Sequence, residues 1–104
     1  MSRYLAAAII FFALPAHSDD IARGAAFAQE NCSRCHAVTA VDYSPNPRSI
    51  PLRFLGRLYP IEGLEEALAE GIMVSHEMPE FVLEADEIAP LIVYLDSIQV
   101  RSGY

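Results

Sequence analysis

The sequence predicts an all-α protein made of helices joined by irregular loops. Three segments, residues 20–31, 61–71 and 85–100, carry apolar residues at helical spacing. Prolines and small polar residues occupy much of the chain between them. No strand pattern interrupts these segments, and the chain has neither an internal repeat nor a low-complexity tract.

The first 18 residues have the features of a secretory signal peptide. One arginine near the start precedes a mostly apolar run of 13 residues, residues 4–16. We expect cleavage after Ser18, which removes residues 1–18 and leaves residues 19–104 as one exported domain. Cleavage after Ala16 is the alternative. The apolar run is shorter than the roughly 20 residues that a membrane-spanning helix needs, which makes an uncleaved anchor the weaker interpretation.

The exported domain is small and acidic. Removing 18 of the 104 residues leaves 86, a size at which an apolar core alone stabilises a fold only narrowly. A disulfide between the two cysteines would close too short a loop to help, so a covalently attached cofactor would supply the missing stabilisation. Without Arg3 there are six arginines against 14 acids, a net charge of −8, which argues against nucleic acid as a partner.

The first predicted helix covers residues 20–31. We expect Asp19 or Asp20 to be its N-cap. Residues 39–51 contain three prolines and are predicted to be an irregular loop, and residues 52–58 form a short helical turn. The apolar face of the first helix consists of Ile21, Ala25 and Ala28.

The second predicted helix covers residues 61–71 and ends at Gly71. Residues 72–84 form a second loop, because Pro79 forces Met78 out of helical geometry. The apolar residues of this helix are Ile61, Leu64 and Leu68.

The last predicted helix covers residues 85–100. Asp86 and Glu87 suit its N-terminus, where the helix dipole favours negative charge. Pro90 is predicted to lie in the first turn, where a missing N–H has little effect. The apolar face consists of Ile88, Leu91, Ile92, Leu95 and Ile98.

Both cysteines, Cys32 and Cys35, lie in the stretch NCSRCHAV, residues 31–38. A zinc site would need His76 as its fourth ligand, without the paired histidine spacing usual in such sites. A thiol-disulfide centre would need a βαβ context. The spacing favours haem over both alternatives: two thiols on a turn leading into helix each add to one vinyl group, and the following His36 reaches the iron as proximal ligand.

This motif and several other segments resemble the small bacterial monohaem c-type cytochromes, class I, with His/Met ligation. The similarity covers GAAFAQENCSRCHAV, PLRFLGRLYP, LEEALAEGI and MPEFVLEADEIAPLIVYLDSI, which together span most of residues 19–104. It implies the cytochrome c fold, about three main helices and irregular loops wrapped around one covalently bound haem c. It also implies that the first and last helices cross near Gly24, Phe27 and Tyr94.

The resemblance also places a distal axial ligand at Met78, in the loop before the last helix. The pinning of this loop by Pro79 fits a side chain aimed across a cavity. His76 and Met73 are the alternatives, although Met73 follows the second helix among apolar residues and fits a packing role. A thioether in this position favours ferrous iron and blocks access of other molecules to the metal.

The surroundings of the haem give further expectations. A backbone carbonyl of Pro45 or Pro47 would accept the remaining N–H of His36, unless both prolines only shape the loop. The candidates to hold the propionates are Arg48, Arg53, Tyr43 and Tyr59. The residues predicted to line an apolar pocket are Leu52, Phe54, Leu55 and Leu58.

These features predict a periplasmic electron carrier rather than an enzyme, since no catalytic base or nucleophile is evident. It would be monomeric, would not span the membrane, and would take electrons from one periplasmic redox protein and give them to another, with no small-molecule substrate. The alternative is a cytochrome c subunit that accepts electrons within a periplasmic dehydrogenase complex. A gas or redox sensor would require an open sixth position on the iron.

Overall fold

A computed structural model of the protein describes residues 16–70, 78 and 83–101. These residues form helices and loops and contain no strand, so the predicted all-helical class is confirmed. The elements in chain order are α1 (Ala16–Asn31), a first 3₁₀ helix (Leu52–Arg57), a second 3₁₀ helix (Ile61–Gly63), α2 (Leu64–Glu70) and α3 (Ala85–Ile98).

Helix α1 begins earlier than the sequence predicted. Its first residue is Ala16, so Asp19 lies inside the first turn and Asp20 follows it within the helix. The prediction that either aspartate is the N-cap is therefore wrong. A carboxylate in the first turn still interacts favourably with the positive end of the helix dipole.

Helices α1 and α3 cross at a point where their backbones nearly touch. A Cβ atom added to Gly24 would lie 2.2 Å from the carbonyl oxygen of Pro90 and 2.5 Å from the Cβ atom of Tyr94. Only a residue without a side chain fits there. Phe27 packs against the same core from one turn further along α1. The crossing expected near Gly24, Phe27 and Tyr94 is confirmed.

The N-terminus of α3 is capped by two glutamates. Glu84 accepts a hydrogen bond from the backbone of Glu87, while Glu87 accepts one from the backbone N–H of Glu84, the reciprocal arrangement called a capping box. Asp86 and Glu87 both lie in the first turn of α3, as the sequence predicted. The capping box fixes the start of α3 at Ala85.

Pro90 lies inside α3 and not in its first turn, which corrects the prediction. Its missing N–H leaves the carbonyl of Asp86, four residues earlier, without its intrahelical partner. The guanidinium of Arg23 on α1 lies 3.5 Å from that carbonyl oxygen. The neighbouring helix thus supplies a polar group at the place where the proline removes one.

The apolar faces predicted for the helices are confirmed as the core. The helix predicted over residues 61–71 is not one continuous α-helix, since the second 3₁₀ helix forms its start and α2 its remainder. Its three predicted apolar residues are all buried. Leu58, which is predicted to line an apolar pocket, is 60% exposed. The buried apolar cluster consists of Ala28, Val38, Leu52, Ile61, Leu64, Leu68, Leu83, Ile88, Leu91, Tyr94 and Leu95.

Two predicted features lie mostly outside the described residues. These are the signal segment, of which only residues 16–18 are described, and the loop of residues 72–84, of which only Met78, Leu83 and Glu84 are described. Within the described ranges, no helix has the length and apolar character needed to cross a membrane. The irregular loop of residues 39–51 is confirmed and contains no helix or strand.

Candidate functional site

The turn that carries both cysteines follows directly from the end of α1. The backbone N–H of Cys32 donates to the carbonyl of Ala28 at 2.8 Å and continues the helical pattern for one more residue. The N–H groups of Cys35 and His36 then both donate to the carbonyl of Cys32, at 3.2 and 2.9 Å. The predicted turn leading into a helix is therefore wrong in its direction: the helix precedes the turn, and an irregular loop follows it.

The imidazole of His36 is held by one backbone carbonyl. Its Nδ1 lies 2.6 Å from the carbonyl oxygen of Ile50. A carbonyl can only accept, so Nδ1 carries the proton and Nε2 of a neutral ring keeps its lone pair for a metal. The predicted acceptors, Pro45 and Pro47, are wrong. Ile50 precedes Pro51, which disfavours helical geometry at Ile50 and favours an extended backbone.

The backbone around His36 is tied to the loop that follows it. The carbonyl of Ala37 accepts from the N–H of Leu52 at 2.9 Å, and the N–H of Ala37 donates to the hydroxyl of Ser44 at 3.0 Å. On the other side, the carbonyl of Cys35 accepts from the N–H of Asn46 at 3.1 Å. The histidine is thus fixed through both of its neighbours in the chain.

Asp42 folds the loop back on itself immediately after these residues. Its carboxylate accepts from the N–H groups of Val38 and Thr39, at 3.2 and 2.9 Å. Burial raises the pKa of this carboxyl, but hydrogen bonds from the Thr39 hydroxyl and from backbone N–H groups outweigh burial, and the pKa lies below its ordinary value. The ionised form is therefore the one that holds the loop.

Arg53 reaches into the same loop from the first 3₁₀ helix. Its Nη1 donates to the carbonyl of Asp42 at 2.7 Å and to that of Thr39 at 3.4 Å, and it lies 3.6 Å from the Asp42 carboxylate. Only 12% of its side chain is exposed. The guanidinium also lies 4.8 Å from the centre of the Phe54 ring, and that of Arg57 lies 4.6 Å from it. Arg53, a predicted propionate ligand, thus already has partners within the loop.

Tyr94 connects the loop to α3. Its hydroxyl donates a hydrogen bond to the carbonyl of Val38, and the residue is 8% exposed. Burial, together with the nearby negative charge of Asp42, raises the pKa of this phenol. Tyr94 therefore stays a neutral donor over the whole physiological range.

The arrangement of the thiols argues against a thiol-disulfide centre. Cys32 and Cys35 are not bonded to each other. Burial raises the pKa of the Cys32 thiol to about 11, whereas a redox-active thiol has a lowered pKa. Cys32 also lies at the C-terminal end of α1, where the helix dipole disfavours a thiolate.

The same side chains do not form a metal-binding cluster by themselves. Among the described residues, no three His, Cys, Asp or Glu side chains converge on a point that could hold a metal ion. Cys32, Cys35 and His36 are among these described residues, whereas His76, the fourth ligand of the zinc alternative, lies outside them.

The predicted distal ligand is only partly characterised. Met78 lies in a bend and is half-buried. Met73 and His76, the alternatives, lie outside the described residues. The assignment of Met78 as axial ligand stays a prediction.

Three functional groups of the site were missed by sequence reasoning. These are the carbonyl of Ile50, the loop-closing carboxylate of Asp42 and the Tyr94 hydroxyl. The position of Ile50 before a proline and the spacing of Thr39 and Asp42, which favours a side-chain-capped turn, were available signals. Nothing in the sequence indicates which carbonyl the Tyr94 hydroxyl meets.

No protein-family model, curated protein or solved structure matches this chain.

Proposed function

We propose that the protein is a c-type cytochrome that carries single electrons between periplasmic redox proteins. In this proposal, Cys32 and Cys35 bond one haem c covalently, His36 is the proximal axial ligand and Met78 the distal one. The observation that carries the proposal is the state of His36, whose Nδ1 is held by the Ile50 carbonyl while Nε2 is left as a ligand atom.

The chain contributes orientation and electronic tuning. Haem iron supplies a one-electron couple whose potential depends on its axial ligands and their hydrogen bonds. The Ile50 carbonyl fixes the ring of His36 and makes its Nε2 more basic. A thioether from Met78 would oppose it and keep other molecules off the sixth position.

The thinness of the core supports a covalently attached apolar group. Among the described residues, no large side chain is fully buried, and the loops expose Val41, Tyr43, Leu58 and Tyr59. In a domain of this size an apolar core alone stabilises the fold only narrowly. A haem packed against the helices would add apolar surface that the side chains alone do not supply.

The proposed partners follow from the export signal and the charge distribution. The ten acids after Ile61 contrast with the four arginines of residues 34–57, of which Arg34, Arg48 and Arg57 are exposed. A partner with an acidic surface around its own cofactor would be steered toward this less negative region. In gel filtration of the natively expressed protein we expect a small monomer; co-elution with a larger enzyme would assign it as a subunit instead.

The covalent attachment can be tested by mass and absorption spectra of the protein isolated from the periplasm of a bacterium that assembles c-type cytochromes. We expect the mass of residues 19–104 plus one haem, and the narrow absorption bands of a reduced c-type haem. Cys35→Ser is expected to weaken or abolish covalent attachment, whereas Ser33→Ala, in the same turn, leaves it intact. A stable wild-type protein without haem would contradict the proposal.

The distal ligand is tested separately. Met78→Ala is expected to abolish the weak sulfur-to-ferric-iron band and to allow carbon monoxide to bind the ferrous protein. Met73→Ala is the matched control and should change neither property. The reverse result would assign Met73, and loss of ligation only in His76→Ala would make the protein a bis-histidine cytochrome.

A further inference from the structure

Gln99 makes three side-chain hydrogen bonds at the C-terminus of α3. Its Nε2 donates to the carbonyls of Leu95 and Leu52, at 2.9 and 2.8 Å, and its Oε1 accepts from the N–H of Gly56 at 2.7 Å. Both amide hydrogens and the carbonyl oxygen of the side chain thus have partners. Two of these three bonds cross to the first 3₁₀ helix, more than 40 positions away in the chain.

The first 3₁₀ helix is directly continuous with the residue that holds His36. Between Leu52, which Gln99 binds, and Ile50, which accepts from His36, there is only Pro51. Pro51 has φ −56° and ψ 132°, and its ring restricts φ. The direction of the Ile50 carbonyl therefore depends on where Leu52 is held.

The N–H of Leu52 makes the return connection, since it donates to the carbonyl of Ala37 at 2.9 Å. Leu52 is thus bound by α3 through its carbonyl and by the residue after His36 through its N–H. Hydrogen bonds thus run from Gln99 through Leu52 to Ala37, and the chain itself connects Leu52 through Pro51 to the Ile50 carbonyl that accepts from His36.

We propose that Gln99 is a positioning residue that holds the Ile50 carbonyl against Nδ1 of His36 by fixing the start of the first 3₁₀ helix. This inference rests on the proposed function, in which His36 is an axial ligand. A weaker hydrogen bond to Nδ1 makes the imidazole a poorer electron donor and favours ferrous iron, so loss of the Gln99 contacts raises the reduction potential.

Two nearby features define what a substitution does. The N–H of Val100 donates to the carbonyl of Arg53 at 2.9 Å, a second connection between the same segments, so loss of the Gln99 side chain loosens the 3₁₀ helix without releasing it. A Cβ atom at Gly56 would lie 3.0 Å from Oε1 of Gln99. The glycine therefore leaves space for the glutamine amide.

The test compares Gln99→Met, Gln99→Glu and the control Gln29→Met, an exposed glutamine on α1. Proton exchange with solvent is measured by NMR at the His36 Nδ1–H and at the Gly56 amide, on the full chain as isolated. In Gln99→Met we expect both protons to exchange at least about 10-fold faster, since two hydrogen bonds to this helix are lost. The control leaves both unchanged.

Gln99→Glu separates the hydrogen bond that the Gln99 side chain accepts from those that it donates. A carboxylate can still accept from Gly56 but cannot donate to Leu52. We expect the Gly56 amide to stay protected while the His36 proton exchanges faster and the reduction potential rises. If Gln99→Met does not accumulate, this variant alone gives the comparison.

Two results would overturn the inference and leave Gln99 a stabilising residue only. One is unchanged exchange of the His36 proton in Gln99→Glu. The other is unchanged exchange of that proton in Gln99→Met while the Gly56 amide exchanges faster. Absence of covalent haem from the wild type would contradict the proposed function instead. The two failures are distinguishable because the exchange of both protons is read whether or not haem is attached.

Discussion

The crossing of α1 and α3 and the loop that follows His36 are held by different kinds of interaction. At the crossing, backbone atoms meet at Gly24 and apolar side chains pack around them. In residues 37–52, which contain the loop, polar side chains bind backbone groups, chiefly through Asp42, Arg53 and Tyr94. The first region depends on space and the second on the pairing of donors with acceptors.

This difference determines which substitutions each region tolerates. A close-packed contact between backbones has no flexible side chain that could move aside, so added volume is not accommodated. A loop held by several hydrogen bonds loses them one at a time, and each net contribution is about 1 kcal/mol. We therefore expect steric changes at the crossing to have larger effects than chemical changes in the loop.

The largest effect is expected from Gly24→Ala. The new Cβ would overlap the Pro90 carbonyl and the Cβ of Tyr94, so the helices must separate. We expect the free energy of unfolding to fall by about 3 kcal/mol, the upper part of the usual range for overpacking, although alanine itself favours a helix. Thermal unfolding followed by circular dichroism measures this loss.

Gly63→Ala is the matched control for that substitution. A Cβ atom at Gly63 would meet nothing within 4 Å. The stability of this variant is expected to be equal to or slightly above that of the wild type, because alanine restricts the unfolded chain more than glycine does. Equal losses in the two variants would contradict the steric explanation.

Tyr94→Phe isolates the hydrogen-bonding contribution of a residue that belongs to both regions. Its Cβ lies at the crossing, whereas its hydroxyl binds the Val38 carbonyl of the loop. Removing only the hydroxyl leaves that carbonyl without this donor, and we expect a loss of about 1 to 2 kcal/mol. In a domain of this size each kcal/mol lowers the unfolding temperature by about 4–8 °C.

Tyr43→Phe removes the same hydroxyl from a loop residue that is 89% exposed. Its unfolding temperature is expected to match that of the wild type. A similar decrease in both tyrosine variants would show that the Val38 contact is not the cause of the loss.

The comparison also explains how much of the molecule the sequence predicts. The apolar faces of α2 and α3 were predictable because helical spacing is a local property of the chain. The resemblance to the cytochromes supplied the crossing at Gly24. Haem attachment and the axial role of Met78 stay predictions.

The contacts that hold His36 were less predictable because they join distant positions. His36 and Ile50 are 14 residues apart, and Gly56 and Gln99 are 43 apart. Which carbonyl faces a ring nitrogen depends on the path of the intervening loop, and composition alone gives only its irregularity. Pro90 shows a related limit, since a neighbouring helix provides the polar group that its position inside α3 requires.

The smallest effect is expected from Asp42→Asn, and it depends on pH. The folded-state pKa of Asp42 is lowered, so its ionised form stabilises the fold above the ordinary pKa of about 3.9, and this contribution is lost as the pH falls through the folded-state value. We expect the wild type to lose more stability than Asp42→Asn between about pH 5 and pH 3. Because 38% of the side chain is exposed, the difference at pH 7 is less than about 1 kcal/mol.

Asp96→Asn is the control for the loss of one negative charge, because its carboxylate pairs with the exposed side chain of Arg101 at 2.8 Å and does not hold a loop. Unfolding temperatures of the three proteins, measured from pH 3 to pH 7, separate the two roles. If the loop depends on the ionised carboxylate, the curve of Asp42→Asn is flatter than that of the wild type below pH 5, while the curve of Asp96→Asn runs parallel to it. Parallel curves for all three would mean that Arg53 and Tyr94 hold residues 38–42 without the charge of Asp42.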